Sequence, residues 1–206
     1  MTPPAPLRIA FFTGASLTPH IAALSHLRMT VFREWPYLYD GDQTQEAAHL
    51  AEFAKAPSAG LAVAFDGQTP VGLSSCVRLV EEGDALTQPF RDGGIDPARV
   101  FYFGESVLLA PYRGQGVGVT FFAEREAHAR RVSSCDYAAF CAVVRPDDHP
   151  LRPPGATSLA GFWRKRGYTP YPDLECRFRW KQVDTAERVE NRLSFWMKSL
   201  TGAPLP

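Results

Sequence analysis

Few folds accommodate the stretch Val107-Leu108-Leu109-Ala110-Pro111-Tyr112-Arg113-Gly114-Gln115-Gly116-Val117-Gly118. Its apolar first part closes a strand-like run over residues 100–109 and leads straight into Gly-x-Gly-x-Gly. A helix begins there and runs to about Arg131, with Val119, Phe122, Ala123 and Ala127 on its buried side. Glycines at such a junction let the backbone pass close to a ligand, and the N–H groups and positive dipole end of the helix suit a phosphate. Arg113 adds a charge at the mouth of the turn. Two common phosphate motifs are excluded. The Walker pattern requires Lys and Ser/Thr after the last glycine, and the dinucleotide fingerprint requires glycine where Val119 stands. What remains is Arg-x-x-Gly-x-Gly, met by Arg113, Gly116 and Gly118, which an ordinary strand-to-helix turn would also satisfy.

Around this junction helices interleave with strands. Residues 7–12 read as an opening strand, and Leu24, Leu27 and Val31 mark an apolar stripe on a first helix ending near Phe32. An aromatic loop, Trp35-Pro36-Tyr37-Leu38-Tyr39, precedes a second helix over residues 44–56. Two strands, 61–65 and 71–80, flank the turn Asp66-Gly67-Gln68-Thr69. A polar stretch fills 81–99, and the apolar run 137–144 reads as a central strand. A Pro-rich loop at 145–155, a short helix at 158–166 and a half-exposed strand around Cys176, Phe178 and Trp180 follow. Val189, Leu193, Trp196 and Leu200 fit a last amphipathic helix over about 187–200, which would cover the core or form a homodimer surface. No repeat or linker divides the chain, so residues 1–206 read as one α/β domain around a mixed sheet, with its core at about 7–183.

Composition narrows the function classes. Lys+Arg and Asp+Glu both number 22, so the basic excess of a sequence-independent nucleic-acid binder is absent, and no nucleic-acid partner is expected. The four cysteines, Cys76, Cys135, Cys141 and Cys176, form no C-x-x-C pair, and no His pair has zinc-ligand spacing. They read as buried thiols in a reducing compartment, with no metal site. Met1 to Leu7 are Pro-rich, without a signal-peptide pattern. The longest apolar run, 137–144, is too short to span a bilayer. A cytoplasmic protein without a membrane partner is expected.

The segment from Tyr102-Phe103-Gly104-Glu105 through Gly118 resembles the coenzyme A signature of the GCN5-related N-acetyltransferase (GNAT) superfamily. The order of elements agrees from about Leu7 to Val183, and Phe162-Trp163-Arg164-Lys165-Arg166-Gly167-Tyr168 resembles the family's helix and Gly-aromatic ending. One departure is Ala110, where the family usually carries a proline that here stands one place later, at Pro111. The resemblance implies a splayed mixed sheet flanked by helices, with coenzyme A lodged where the signature strand leaves the next one. Backbone near Val107 and Leu108 would pair with the pantetheine arm. The N–H groups of Gly114, Gln115, Gly116, Val117, Gly118 and Val119, with Arg113, would hold the pyrophosphate. Acetyl-CoA is the implied co-substrate, and no metal is needed.

Acyl transfer to an amine needs the ammonium to lose a proton. Glu105, eight residues before Arg113, stands where many members carry a Glu, and it is the candidate base or substrate-positioning group. Its row Phe101, Phe103, Glu105, Val107, Leu109 is apolar, so its pKa is expected to be raised. Trp163 occupies the position of the family's usual acid tyrosine, and indole cannot serve as that acid. Trp35, Tyr37, Tyr39, Arg145 and Trp163 are candidate acceptor-site residues. Asp40, Asp42, Asp147 and Asp148 are candidates for holding a cationic amine, and Arg145 and Arg152 for holding a carboxylate. The implied activity is an acyl-CoA-dependent N-acyltransferase acting on a primary amine of a small molecule or protein. The alternative is an acyl-CoA-binding sensor or interaction module without turnover.

Overall fold

The computed structural model describes residues 7–206; the Pro-rich start, residues 1–6, lies outside them. Seven strands form one sheet in the order β1-β2-β3-β4-β5-β7-β6. They are β1 (Arg8–Thr13), β2 (Gly60–Asp66), β3 (Thr69–Arg78), β4 (Val100–Leu108), β5 (Tyr137–Val143), β6 (Thr169–Lys181) and β7 (Arg188–Ser199). The one parallel pair is β4 with β5, joined across the sheet by helix α4 (Val117–Val132). The other pairs are antiparallel. This is the mixed sheet that the residue pattern implied, open and flanked by helices as the family resemblance implied.

Alternation along the strands sorts the helices onto two faces. Leu61, Val63 and Leu73 pack with Leu24 and Leu27 of α1 (Ile21–Phe32) and Leu50 of α2 (Gln43–Phe53). Ala62 and Ala64, facing the other way, pack against Val117 and Phe121 of α4. Small residues there let the helix approach closely. The polar stretch 81–99 contains a helix of its own, α3 (Asp84–Asp92), because Leu86 and Phe90 recur one turn apart and both are buried. A five-residue helix, α5 (Ala160–Arg164), precedes β6.

One expected element is corrected. Residues 188–199 are a strand, not a helix, inserted between β5 and β6. Val189, Leu193 and Trp196 satisfy helical spacing, but Asn191, Leu193, Phe195 and Met197 satisfy alternation equally well, and all four are buried. Trp196 is buried on the opposite face, among Phe140 and Tyr168. A strand paired on both edges and covered on both faces satisfies backbone and side chains together. A surface helix over the same residues, with Val189, Leu193, Trp196 and Leu200 as its buried stripe, would leave Phe195 exposed. Cys76, Cys135 and Cys176 are buried and Cys141 nearly so, all as free thiols. Among the described residues no helix is long and apolar enough to cross a membrane.

Candidate functional site

The two parallel strands part company early. Val100, Phe101 and Tyr102 of β4 pair with Tyr137, Ala138 and Ala139 of β5, and no pairing follows. On its other edge β4 stays paired with β3 as far as Leu108. The β5-facing edge of residues 103–108 is therefore open, an arrangement that an extended ligand can join by backbone hydrogen bonds.

A β-bulge lies beside this split. Ser74 faces Ser106 and Cys76 faces Phe103, so Gly104 and Glu105 together oppose Ser75. The Glu105 N–H donates to the Ser75 hydroxyl at 3.2 Å. A Cβ on residue 104 would sit 2.5 Å from that oxygen, which is why glycine stands there. The extra residue also inverts the strand's facing. Phe101 and Phe103 pack against Phe122 and Ala129 of α4, whereas Val107 packs on the α1–α2 side with Leu24 and Leu50.

Glu105 follows Val107, not Phe103, and meets Arg28 of α1 as an ion pair. Arg28 also donates through Nε to Glu46 of α2 at 2.6 Å, and Tyr39 donates its hydroxyl to the other Glu46 oxygen at 2.7 Å. All three charged side chains are nearly enclosed, at 10% exposure for Arg28, 6% for Glu46 and 12% for Glu105. Burial alone would raise the Glu105 pKa, but the guanidinium, with His49 nearby, overrides it and holds the carboxyl at about 2. The expected raised pKa is thus reversed. The bulge breaks the apolar row, and the Arg28 guanidinium stands opposite the carboxyl. The readable signal was Arg28 itself, a charge beside Leu24 and Leu27 on the buried stripe of α1.

Farther along, Gly114 and Gly116 have φ of 79° and 84°, the left-handed region that favours glycine. Gly116 caps α4, and the N–H groups of Val119 and Thr120 both fold back onto its carbonyl. Val119 therefore leaves the expected phosphate-binding set. The N–H groups of Gly114, Gln115, Gly116, Val117 and Gly118 find no acceptor among the described residues, as at any helix start. A side chain at Gly116 would meet nothing within 4 Å, so the turn opens onto free space. Val117 is buried, Gln115 donates to the Pro111 carbonyl at 3.3 Å, and a Cβ at Gly118 would meet the Phe162 ring at 3.2 Å.

Arg113 is engaged elsewhere. It donates through Nε to the Leu108 carbonyl at 2.9 Å and pairs with Glu34 at 2.7 Å. Both side chains are 46% exposed, so Arg113→Ala is expected to cost under about 1 kcal/mol, measured by urea unfolding.

The candidate acceptor residues are placed unevenly. Arg145 donates to the carbonyls of Pro36 and Tyr37 at 2.7 and 2.9 Å, clasping the aromatic loop to the segment after β5. Its Nε and Nη2 are thereby withdrawn from the carboxylate-binding role that the sequence suggested. Arg152 pairs with Asp147, Asp40 with Arg33 and Lys181, and Asp42 caps α2, so these charges serve the fold. Trp35 lies edge-on to His149 at 5.2 Å. Tyr37 stacks near Trp180, and burial pushes its hydroxyl pKa up. Trp163 packs among Phe140 and Trp196, at 5.1 and 5.0 Å between ring centres. Its ring belongs to the core on the α4 side. At the split the Tyr102 hydroxyl lies 3.1 Å from the Cys141 sulfur.

The sequence matches no family model and no curated protein. Solved structures do match along nearly its whole length. A ribosomal-protein-alanine N-acetyltransferase from Brucella melitensis is 13% identical, with 93% of this chain and 99% of that one covered and a TM-score of 0.60. An aminoglycoside 6'-N-acetyltransferase complexed with coenzyme A is 15% identical, with 97% and 99% covered and a TM-score of 0.59. An acetyltransferase of the GNAT family from Streptococcus pneumoniae is 10% identical, with 94% and 99% covered and a TM-score of 0.56. The chain has the GNAT fold. Within that fold, the β4–β5 split and the glycine turn of α4 lie at the two ends of one short segment, residues 103–118.

Proposed function

We propose that this GNAT-fold chain is an acyl-CoA-dependent N-acyltransferase that moves acetyl from acetyl-CoA to a primary amine of a small molecule or protein. The observation that carries the reading is the pairing of an open strand edge with an anion-ready helix start. Residues 103–108 offer backbone groups to an extended arm, and the free N–H groups of Gly114 to Gly118 offer a seat for a pyrophosphate. Coenzyme A has both parts, and when bound it supplies the activated acyl group as a thioester. Tyr37, Tyr39 and the aromatic loop would form the acceptor side, where carboxylates outnumber Arg28 and favour a cation. Glu105, fixed as a carboxylate, would position that cation.

Gly116→Val tests the donor site. A β-branched side chain is strained at a φ of 84° and projects into the space assigned to the pyrophosphate. Acetyl-CoA affinity, read by calorimetry, is expected to fall ten-fold or more, equal to about 1.4 kcal/mol. Unchanged affinity in a folded variant would exclude the coenzyme reading.

Two observations favour the sensor as a second reading. Trp163, half-buried against Phe140 and Trp196, stands in place of an acid tyrosine, and Glu105 is too weakly basic to deprotonate an amine readily. Free thiol release from acetyl-CoA across a panel of amines separates the two readings: the enzyme releases thiol with at least one amine, the sensor with none.

A further inference from the structure

We propose that Glu82, at the end of the turn after β3, takes the proton from the acceptor's ammonium group. The assignment rests on the acyltransferase reading above. It begins from a cavity of about 380 Å³ that opens between α2 and the turn following β3, lined by His49, Phe53, Val77, Glu81 and Glu82. Val77 pairs directly with Tyr102, and Tyr102 is the last β4 residue paired with β5. The cavity wall therefore stands one strand away from the split.

The carboxylates around this cavity are engaged, with one exception. Glu81 accepts from the Ser58 N–H and hydroxyl at 3.1 and 2.9 Å. Glu52 pairs with Lys55, and Asp84 with Arg91. Glu105 and Glu46 share Arg28. Among the described residues, the Glu82 carboxylate has neither an ion-pair nor a hydrogen-bond partner. It is half-buried. Burial, with Glu105 and Glu81 close by, raises its pKa to about 7. His49, Glu52 and Lys55 face it across the cavity. Tyr102 and Cys141 lie near enough on β4 and β5 to feel its charge. A carboxyl that changes charge near neutral pH, at an open cavity beside the split, meets both requirements of a general base, access and basicity.

The step balances as follows. Glu82 takes one proton from the ammonium and later releases it to solvent. The freed lone pair bonds to the thioester carbonyl carbon. The carbon–sulfur bond breaks with its electron pair on sulfur, and the nitrogen's second proton neutralises that sulfur.

Glu82→Gln and Glu105→Gln decide the assignment, each first checked for unchanged acetyl-CoA affinity by calorimetry. Carbon-13 NMR of carboxyl-labelled protein should show one glutamate titrating near pH 7 in the wild type, the same titration moved to lower pH in Glu105→Gln, where one of the charges that raises it is gone, and none in Glu82→Gln. With a competent amine, kcat/KM should fall about 10² to 10⁴-fold in Glu82→Gln and lose its acidic limb. Glu105→Gln should keep that limb. A Glu82→Gln enzyme with the wild-type rate and pH profile would overturn the assignment while leaving the acyltransferase reading intact. A wild type that binds acetyl-CoA but releases thiol with no amine would overturn both.

Discussion

Arg28→Met is expected to destabilise the protein by about 3–5 kcal/mol, measured by urea unfolding at pH 7. The guanidinium holds two carboxylates, Glu46 and Glu105, that are almost wholly withdrawn from water. Methionine fills much of the same space but neutralises neither. Each carboxylate would then have to shed its charge or draw in water. The cause can be isolated by removing the charges together. Adding Glu46→Gln and Glu105→Gln to Arg28→Met should recover most of the loss, because replacing a whole buried ion cluster by neutral groups is often close to neutral. A single-variant loss below about 1 kcal/mol would mean that the carboxylates are already hydrated.

The pH dependence has a defined sign. Glu105 has a folded pKa of about 2, below the roughly 4.3 of an unfolded glutamate. Its contribution is present above the unfolded value and is lost as pH falls through the folded one. Wild-type stability should therefore decline between about pH 4 and 2. In Arg28→Met the burial that opposes the charge meets only the weaker pull of His49 and a backbone hydrogen bond, so Glu105 should titrate well above its wild-type value. The gap in stability between wild type and variant should then narrow as pH is lowered through the variant's Glu105 titration, when that carboxylate becomes neutral.

This cluster also marks where sequence reading ran out. The glycine turn was legible because left-handed backbone at Gly114 and Gly116 and a helix start at Val117 are local events with local residue signals. The strands β2 to β5 were legible from their apolar runs. The facing of Glu105 was not, since it depends on one extra residue in β4 and on the close approach of Ser75 to Gly104, a contact between residues 29 positions apart in the chain. Simple alternation counted through the bulge and put Glu105 on the wrong face. Arg28 was visible on an apolar stripe, but its partners lie on α2 and β4, and only the folded sheet brings them together. Glu82 was hidden by its setting. Nothing in the polar stretch 81–99 singles out one carboxylate until the fold sets Glu82 against α2, with Leu86 and Phe90 anchoring the helix that follows it.

Phe195→Ala is expected to cost about 3–5 kcal/mol, and it tests the element that alternation and helical spacing describe equally well. In β7, Phe195 is fully buried. Its ring meets Phe90 of α3 edge-on at 4.8 Å and lies 6.5 Å from Tyr102 of β4. It thereby ties the last strand to the helix over the polar stretch and to the strand that carries the split. Removing the ring would leave a cavity bounded by a helix and two sheet strands, and the strands cannot collapse into it without breaking ladder hydrogen bonds. In a peripheral helix with Val189, Leu193, Trp196 and Leu200 as its buried stripe, residue 195 would point to solvent, and alanine there would cost little. Glu190→Ala on the same strand is the internal control. Its carboxylate pairs with Arg177 at an exposed position, so the change should stay within about 1 kcal/mol. A large loss at Phe195 beside a small one at Glu190, read from urea midpoints with unchanged slopes, is the signature of a central strand. Equal, small losses at both would exclude it.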